Sequence, residues 1–526
     1  MRDPDRDALT RRRLLARGGV LAGAIAVGPL AGSAEALAAT SASPRRGGEL
    51  VIARSTEPTQ FDPALSIVSG DVWTLDKFFE PLYAVDAKGK LVPWLARSYD
   101  VSKGGKQFTF HLRPGVKFSD GTPLTSADVK FSIDRARKAK GPLTFLDGPI
   151  VSISAPDAMT VVFHLSAPWA PFLSDISAFT NGILPNKLGG KSDKAFFARP
   201  VGTGPFMLDK LTKGSLLRLV RNPHYWRTGK PYVDSVRINL VPDDNTRVLQ
   251  LKGGQAGIIE GVPAASVKDL KSAKNVHVGL FPAWSVDLVF MNEKQKPFQD
   301  RNVRRAIAYG IDRKAIVAAT TFGTAKVAGS FFPPLLQYYD PNTPVLQHDP
   351  EKAKAALAAS SAKGGFSTEI MVPSGNVVWN STAQLIQAQL QPIGINVKVT
   401  QKEIGDFKSS FAAFKYQIMI NNAINDISDP DEMASFQVDA IKGGSDSFWT
   451  GYNNPAAIKL VRQAESQFNS QKRAALYRKI QAIVAQDAPF IPLSYPPYIW
   501  GNSTKVHGFA VNPGGAFRLE DVWLSS

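Results

Sequence analysis

A chain of 526 residues with 44% hydrophobic and 10% aromatic content has enough apolar material for two large lobes and too much to be mainly disordered. It has no cysteine, which excludes a disulfide framework, an iron-sulfur cluster, a thiol nucleophile and a lipid-bearing cysteine anchor. The net charge of +17 is spread thinly, in short runs such as RNVRR at 301–305, without an Arg-rich tail or zinc-finger spacing, so nucleic acid is not an expected partner.

The first stretch, TRRRLLARGGVLAGAIAVGPLAGSAEALAAT, places Arg11 and Arg12 before a short apolar run from Val20 to Leu30 and the small-x-small pair Ala36 and Ala38. This order predicts a cleavable signal peptide over 1–38, cut after Ala38, with the paired arginines of the twin-arginine export route. Residues 39–48 read as a flexible leader. No later stretch holds eighteen consecutive apolar residues, so the mature chain is expected outside the cytoplasm, periplasmic or extracellular, with no stable membrane insertion.

From Leu50 onward, strand and helix patterns alternate. In KQFTFHLRPGVKFSDGTPLTSADVKFSIDRARKAK, Phe108, Phe110 and Leu112 share one face of a strand. After a Pro-Gly turn, Thr125 and Asp128 have capping-box spacing before a helix whose Val129, Ile133 and Ala136 face a core. DRNVRRAIAYGIDRKAIVAAT stacks Val303, Ile307 and Ile311, with Asp312 placed to cap a second helix. STAQLIQAQLQPIGINVKVTQKE ends a helix at Pro392 and Gly394 and resumes as a strand through Ile395, Val397 and Val399. KYQIMINNA is a buried strand that runs into INDISDPDEM, a loop holding Asp426, Asp429, Asp431 and Glu432. The long helix of RAALYRKIQAIVAQD is followed by a Pro-interrupted extended run, tolerated at a sheet edge or crossover. The class is therefore α/β, or mixed α+β.

Carboxylates at the carboxyl end of a strand can face a ligand, a metal or water. For calcium the loop fails the EF-hand pattern, with Pro430 where a ligand belongs and no Gly at the sixth position. Asp429 before Pro430 suits a turn, and Asp431 and Glu432 suit the first turn of a helix beginning DEMASF. The six histidines are far apart and form no zinc motif, and Gly-x-Ser-x-Gly, P-loop and dinucleotide motifs are absent, so neither metal nor cofactor is expected.

Seven stretches together, FEPLY (79–83), FSDGTPLTSADVKFSIDR (118–135), VGTGPFML (201–208), RNPHYW (221–226), RNVRRAIAYGIDR (301–313), DPEKAKAAL (349–357) and APFIPLSY (488–495), resemble the family 5 extracellular solute-binding proteins of ABC importers. That group includes dipeptide, oligopeptide and nickel receptors. The resemblance implies the two-lobe periplasmic-binding-protein-like fold of the large peptide-receptor type, with solute enclosed between the lobes. Lobe I would comprise 49–283 and 494–526, with an insertion subdomain at about 87–200, and lobe II would be 284–493. In peptide-binding members a loop aspartate, within a pattern resembling Trp-x-x-Asp-x-x-Asp-Pro, pairs with the ligand's α-ammonium. NAINDISDP puts Asp426 at that aspartate, with Ala423 in the place of Trp. Clefts for organic solutes are lined by aromatic groups with a few polar fixers, which adds Trp73, Trp284, Trp379, Phe448 and Trp449 as candidates, and Asn453 beside them. For each tryptophan the competing role is core filling.

The expectation is a non-catalytic, monomeric receptor that traps a short peptide or another amine-bearing molecule and delivers it to the permease subunits of an ABC importer. The alternatives are an oligosaccharide or glycoside receptor, a secreted hydrolase, and a periplasmic chaperone of the same fold.

Overall fold

The computed structural model describes residues 43–66, 69–102, 104–141, 143–440 and 450–526. The signal-peptide positions Arg11, Arg12 and Ala38 and the candidates Phe448 and Trp449 lie outside the described residues. Two large sheets and one smaller sheet organise the chain from Pro44 to Ser526.

The first sheet has seven strands in the order Val276–Phe281, Tyr498–Ser503, Ile258–Glu260, Glu49–Arg54, Ser235–Leu240, Leu216–Arg221 and Phe206–Thr212. Glu49–Arg54 is parallel to both its neighbours and is buried on both faces, Leu50 and Ile52 packing into one cluster and Ala53 into another. The second sheet has six strands in the order Lys326–Val327, Phe490–Tyr495, Ser285–Met291, Ile418–Ile424, Phe366–Pro373 and Ile395–Lys402. Every residue of Ser285–Met291 is buried. Val286, Leu288 and Phe290 pack with Tyr452 and Tyr477 on one face, while Val289 and Met291 pack with Ile307, Ile386 and Leu390 on the other.

A four-stranded antiparallel sheet, Ala96–Val101, Gln107–Leu112, Thr160–Leu165 and Ile150–Asp157, forms a separate layer with the helix Ser126–Ala139. The Thr125 N–H donates to the Asp128 carboxylate at 2.7 Å, closing the capping box that the sequence predicts, and Val129, Ile133 and Ala136 are buried. Asp312 accepts from the Ala315 N–H at 3.0 Å and starts the helix Arg313–Thr320. Gly394, at φ 93°, ends the turn after Val377–Leu390 and releases the chain into Ile395–Lys402.

The chain passes from the first large sheet to the second between Phe281 and Ser285, and returns between Tyr495 and Tyr498. The leader differs from expectation in its last residues. Arg45 donates to the Ser526 hydroxyl at 2.7 Å, and the Gly47 and Gly48 N–H groups donate to Tyr232 O and the Asp234 carboxylate, so 45–48 are tied to the body by hydrogen bonds that composition does not reveal.

Candidate functional site

The acidic loop leaves the carboxyl end of Ile418–Ile424 and is built around its own buried polar groups. Asn425 is fully buried; its side-chain amide donates to Ile427 O at 2.5 Å and Asp429 O at 2.9 Å, and its oxygen accepts from the Met433 N–H at 2.9 Å. Glu432, in the first turn of Asp431–Val438, reaches back and accepts from the N–H of Asp426 at 2.7 Å and of Ile427 at 3.2 Å. Asp429 is clamped by the Arg473 guanidinium, with one of the two bonds at 2.8 Å.

These contacts divide the carboxylates by role. Asp429 is 5% exposed and neutralised by Arg473. Asp426 is half-buried and has no cationic partner among the described residues. Burial pushes its pKa up to about 6, opposed by a hydrogen bond from Glu432. Burial, and then the Asp426 charge, pushes Glu432 well above the ordinary carboxylate range. Tyr498 is driven upward by burial and by the same Asp426 charge, which places its phenol in the field of that carboxylate.

Tyr498 also lines a cavity of about 340 Å³ between the two large sheets. Its wall takes Trp73 and Glu260 from the first sheet's side, Asp287, Thr321, Thr324 and Val378 from the second, and Ser494 through Trp500 from the return crossing apart from Tyr495. The wall thus lies at strand ends, where ligands of open α/β sheets gather. Trp73 meets Tyr498 edge to face with ring centroids 5.6 Å apart. Gly515, at φ 89°, lets the chain pass Trp73 where a Cβ would come within 2.7 Å of the ring. Asp287 is 7% exposed and sits where the register shifts against Pro492, a residue with no N–H for the ladder. Burial raises its pKa to about 6, held back by the Ser494 hydroxyl at 2.7 Å and by Trp379.

Across the opposite seam, the insertion layer touches the acidic loop. The Asp429 N–H donates to the Ser174 hydroxyl at 2.9 Å, Ser174 and Ser428 share a hydrogen bond of 2.9 Å, and Phe145 meets Phe436 edge to face at 4.6 Å.

Of the sequence candidates, the structure brings Trp73 to the cavity wall, Trp379 against Asp287, and Asp426 into reach of Tyr498. Trp284 is 1% exposed and fills the core of the second sheet, its indole N–H donating to Leu335 O at 3.2 Å. Its place at the crossing is structural: its N–H donates to Pro513 O at 2.7 Å, and its carbonyl accepts from the Asn425 N–H at 2.8 Å. Asn453 lies away from the cavity, in a groove of about 880 Å³ beside Pro455–Glu465 and Ser470–Asp487. Sequence reasoning missed Asp287 and Tyr498, and read Glu432 only as a first-turn acid of the helix, not as the acceptor of the Asp426 N–H. For Asp287 a signal was present, a lone charge inside the apolar run WSVDLVFM. Among the described residues no group of three His, Asp or Glu side chains could hold a metal, and no helix is long and apolar enough to cross a membrane.

Comparison with known proteins gives this geometry a family. Residues 90–443 match the bacterial extracellular solute-binding proteins, family 5 Middle. The chain is 28% identical over 519 residues to the dipeptide-binding protein of Escherichia coli (strain K12), covering 92% of this chain and 96% of that protein. It is 30% identical over 493 residues to the probable D,D-dipeptide-binding periplasmic protein DdpA of the same strain, covering 90% and 93%. The solved structure of the ABC transporter-associated periplasmic binding protein DppA from Helicobacter pylori, in complex with the peptide STSA, matches with a TM-score of 0.81 at 28% identity, over 92% of this chain and 99% of that one. The chain belongs to the family 5 extracellular solute-binding proteins and is a substrate-binding receptor of the ABC importer class, with their two-lobe fold.

Proposed function

We propose that the receptor takes a short peptide or another solute with a free amine, held by Asp426 between the lobes, and passes it unchanged to the permease subunits of its importer. The observation that carries this reading is Asp426 itself, a half-buried carboxylate at a strand's carboxyl end with no cationic partner among the described residues. An ammonium brought by the solute supplies the missing charge, and hydrogen bonds to charged groups contribute about 1.5 to 3 kcal/mol. Trp73, which packs on Tyr498, supplies aromatic surface on the cavity wall, and Trp379 lies against Asp287. The dipeptide-binding names of the relatives support the same class of solute.

Lobe I is then 49–283 with 494–526, including the insertion at about 87–200, and lobe II is 284–493; the passage between sheets at 281–285 and 495–498 supports these limits. Export by the twin-arginine route, cleavage after Ala38, a periplasmic location and a monomeric state complete the reading. Closure is favoured only by contacts that the solute makes to both lobes together.

Calorimetry with an unmodified dipeptide and its N-acetylated form tests the proposal. The free amine should bind at least tenfold more tightly, and chromatography should return the peptide intact. Equal affinities refute the role of Asp426, and a cleaved peptide refutes a receptor without turnover.

A further inference from the structure

The cavity wall is electrostatically one-sided. Among the described residues its charged groups are Asp244, Glu260 and Asp287, and no Lys, Arg or His lines it. Arg247 meets Asp244, and Arg54 meets Glu260 at 2.6 Å. Among the described residues Asp287 receives only neutral donors, from Ser494 and Trp379. A buried carboxylate with neutral partners alone keeps much of its cost of leaving water, which an arriving cation offsets.

The rest of the wall suits such a cation. Trp73 presents an aromatic ring, and the Tyr498 hydroxyl is buried without a hydrogen-bond partner among the described residues, so its oxygen retains the capacity to accept from an ammonium or guanidinium. Arg54 is no counter-charge for an anion here: it is fully buried, 5.7 Å from the ring centroids of both Trp73 and Phe517, and not part of the wall. A volume of about 340 Å³ is at the small end for solute pockets and is ample for one long side chain.

We propose that Asp287 is a second cation subsite, and that the solute is a short peptide with a basic side chain, whose ammonium or guanidinium enters the cavity beside Asp287, Trp73 and Tyr498. This rests on the reading that Asp426 takes the free amine. The same wall disfavours an acidic side chain, for which it offers no cation.

Calorimetry with Ala-Lys, Ala-Ala and Ala-Glu as probes decides it. The wild-type protein should bind Ala-Lys at least tenfold more tightly than Ala-Ala, with Ala-Glu weakest. In Asp287→Asn the ratio between Ala-Lys and Ala-Ala should fall close to one. Thr324→Lys, which places a cation on the same wall, should reduce the ratio as well, so the idea stays exposed if the first variant does not fold. Equal binding of all three probes to the wild type, or an undiminished ratio in a folded Asp287→Asn, overturns the subsite and leaves the Asp426 reading standing. Failure of all three probes to bind the wild type overturns both.

Discussion

Arg473 and Asp429, 44 positions apart, form a buried two-pronged ion pair that fixes the acidic loop to the long helix Ser470–Asp487. Removing the cation alone strands a carboxylate that is 5% exposed. Arg473→Met should therefore destabilise the protein by about 3 to 5 kcal/mol, and adding Asp429→Asn should recover part of the loss. Denaturant unfolding of the two variants checks this.

Asp426 has no cationic partner among the described residues, and the proposed function gives it the solute's free amine. Asp426→Ala should weaken binding of an amine-bearing peptide at least tenfold, with little change in unfolding temperature. Unchanged affinity by calorimetry counts against the assignment.

Several buried carboxyls titrate high. Burial raises Glu80, Asp147 and Glu293 to about 7 and Asp287 and Asp426 to about 6. A folded-state value above the unfolded one means that the native state binds more protons in between, so stability is fully present below about pH 4 for these groups and is lost as pH rises through 6 to 7. The solute-free protein should melt at a higher temperature at pH 5 than at pH 8. Asp147→Asn should flatten that slope and stabilise the protein at pH 8 by on the order of 1 to 3 kcal/mol. Binding of a cation to Asp426 runs the other way, weakening as pH falls through about 6.

The seam between the insertion layer and the acidic loop depends on Phe145 against Phe436 and on Ser174 under Asp429. An edge-to-face aromatic pair contributes about 0.5 to 1.5 kcal/mol beyond its buried area. Phe145→Ala should raise the dissociation constant of a peptide severalfold and leave a larger radius of gyration in solution scattering at saturation. Identical scattering curves for variant and wild type contradict this.

Arg11→Lys combined with Arg12→Lys should hold the protein inside the cell. Fractionation that finds the doubly changed protein outside the cytoplasm rules out the twin-arginine route.

Local rules carried much of the fold. The capping box at Thr125 and Asp128, the cap at Asp312 and the stop at Gly394 are short-range chemistry, written within four residues, and each stands where its spacing puts it. Around the candidate site, local pattern gave position: the strand predicted from KYQIMINNA ends at Ile424 and leaves Asp426 in the loop just beyond it. Glu432 has the look of an ordinary first-turn acid, and only the fold of the loop turns it back onto the Asp426 N–H. The Arg473 to Asp429 pair and the Ser174 contact join residues 44 and 255 positions apart, and no local pattern encodes them. Asp287 was visible as an oddity, yet its meaning depends on the register shift between Pro492 and Ser494 and on which carboxylates already have partners.

The prolines at 496 and 497 belong both to the return strap between the sheets and to the cavity wall. A proline ring locks φ at about −65°, so two in succession stiffen the strap that joins the two large sheets at the point where it borders the cavity.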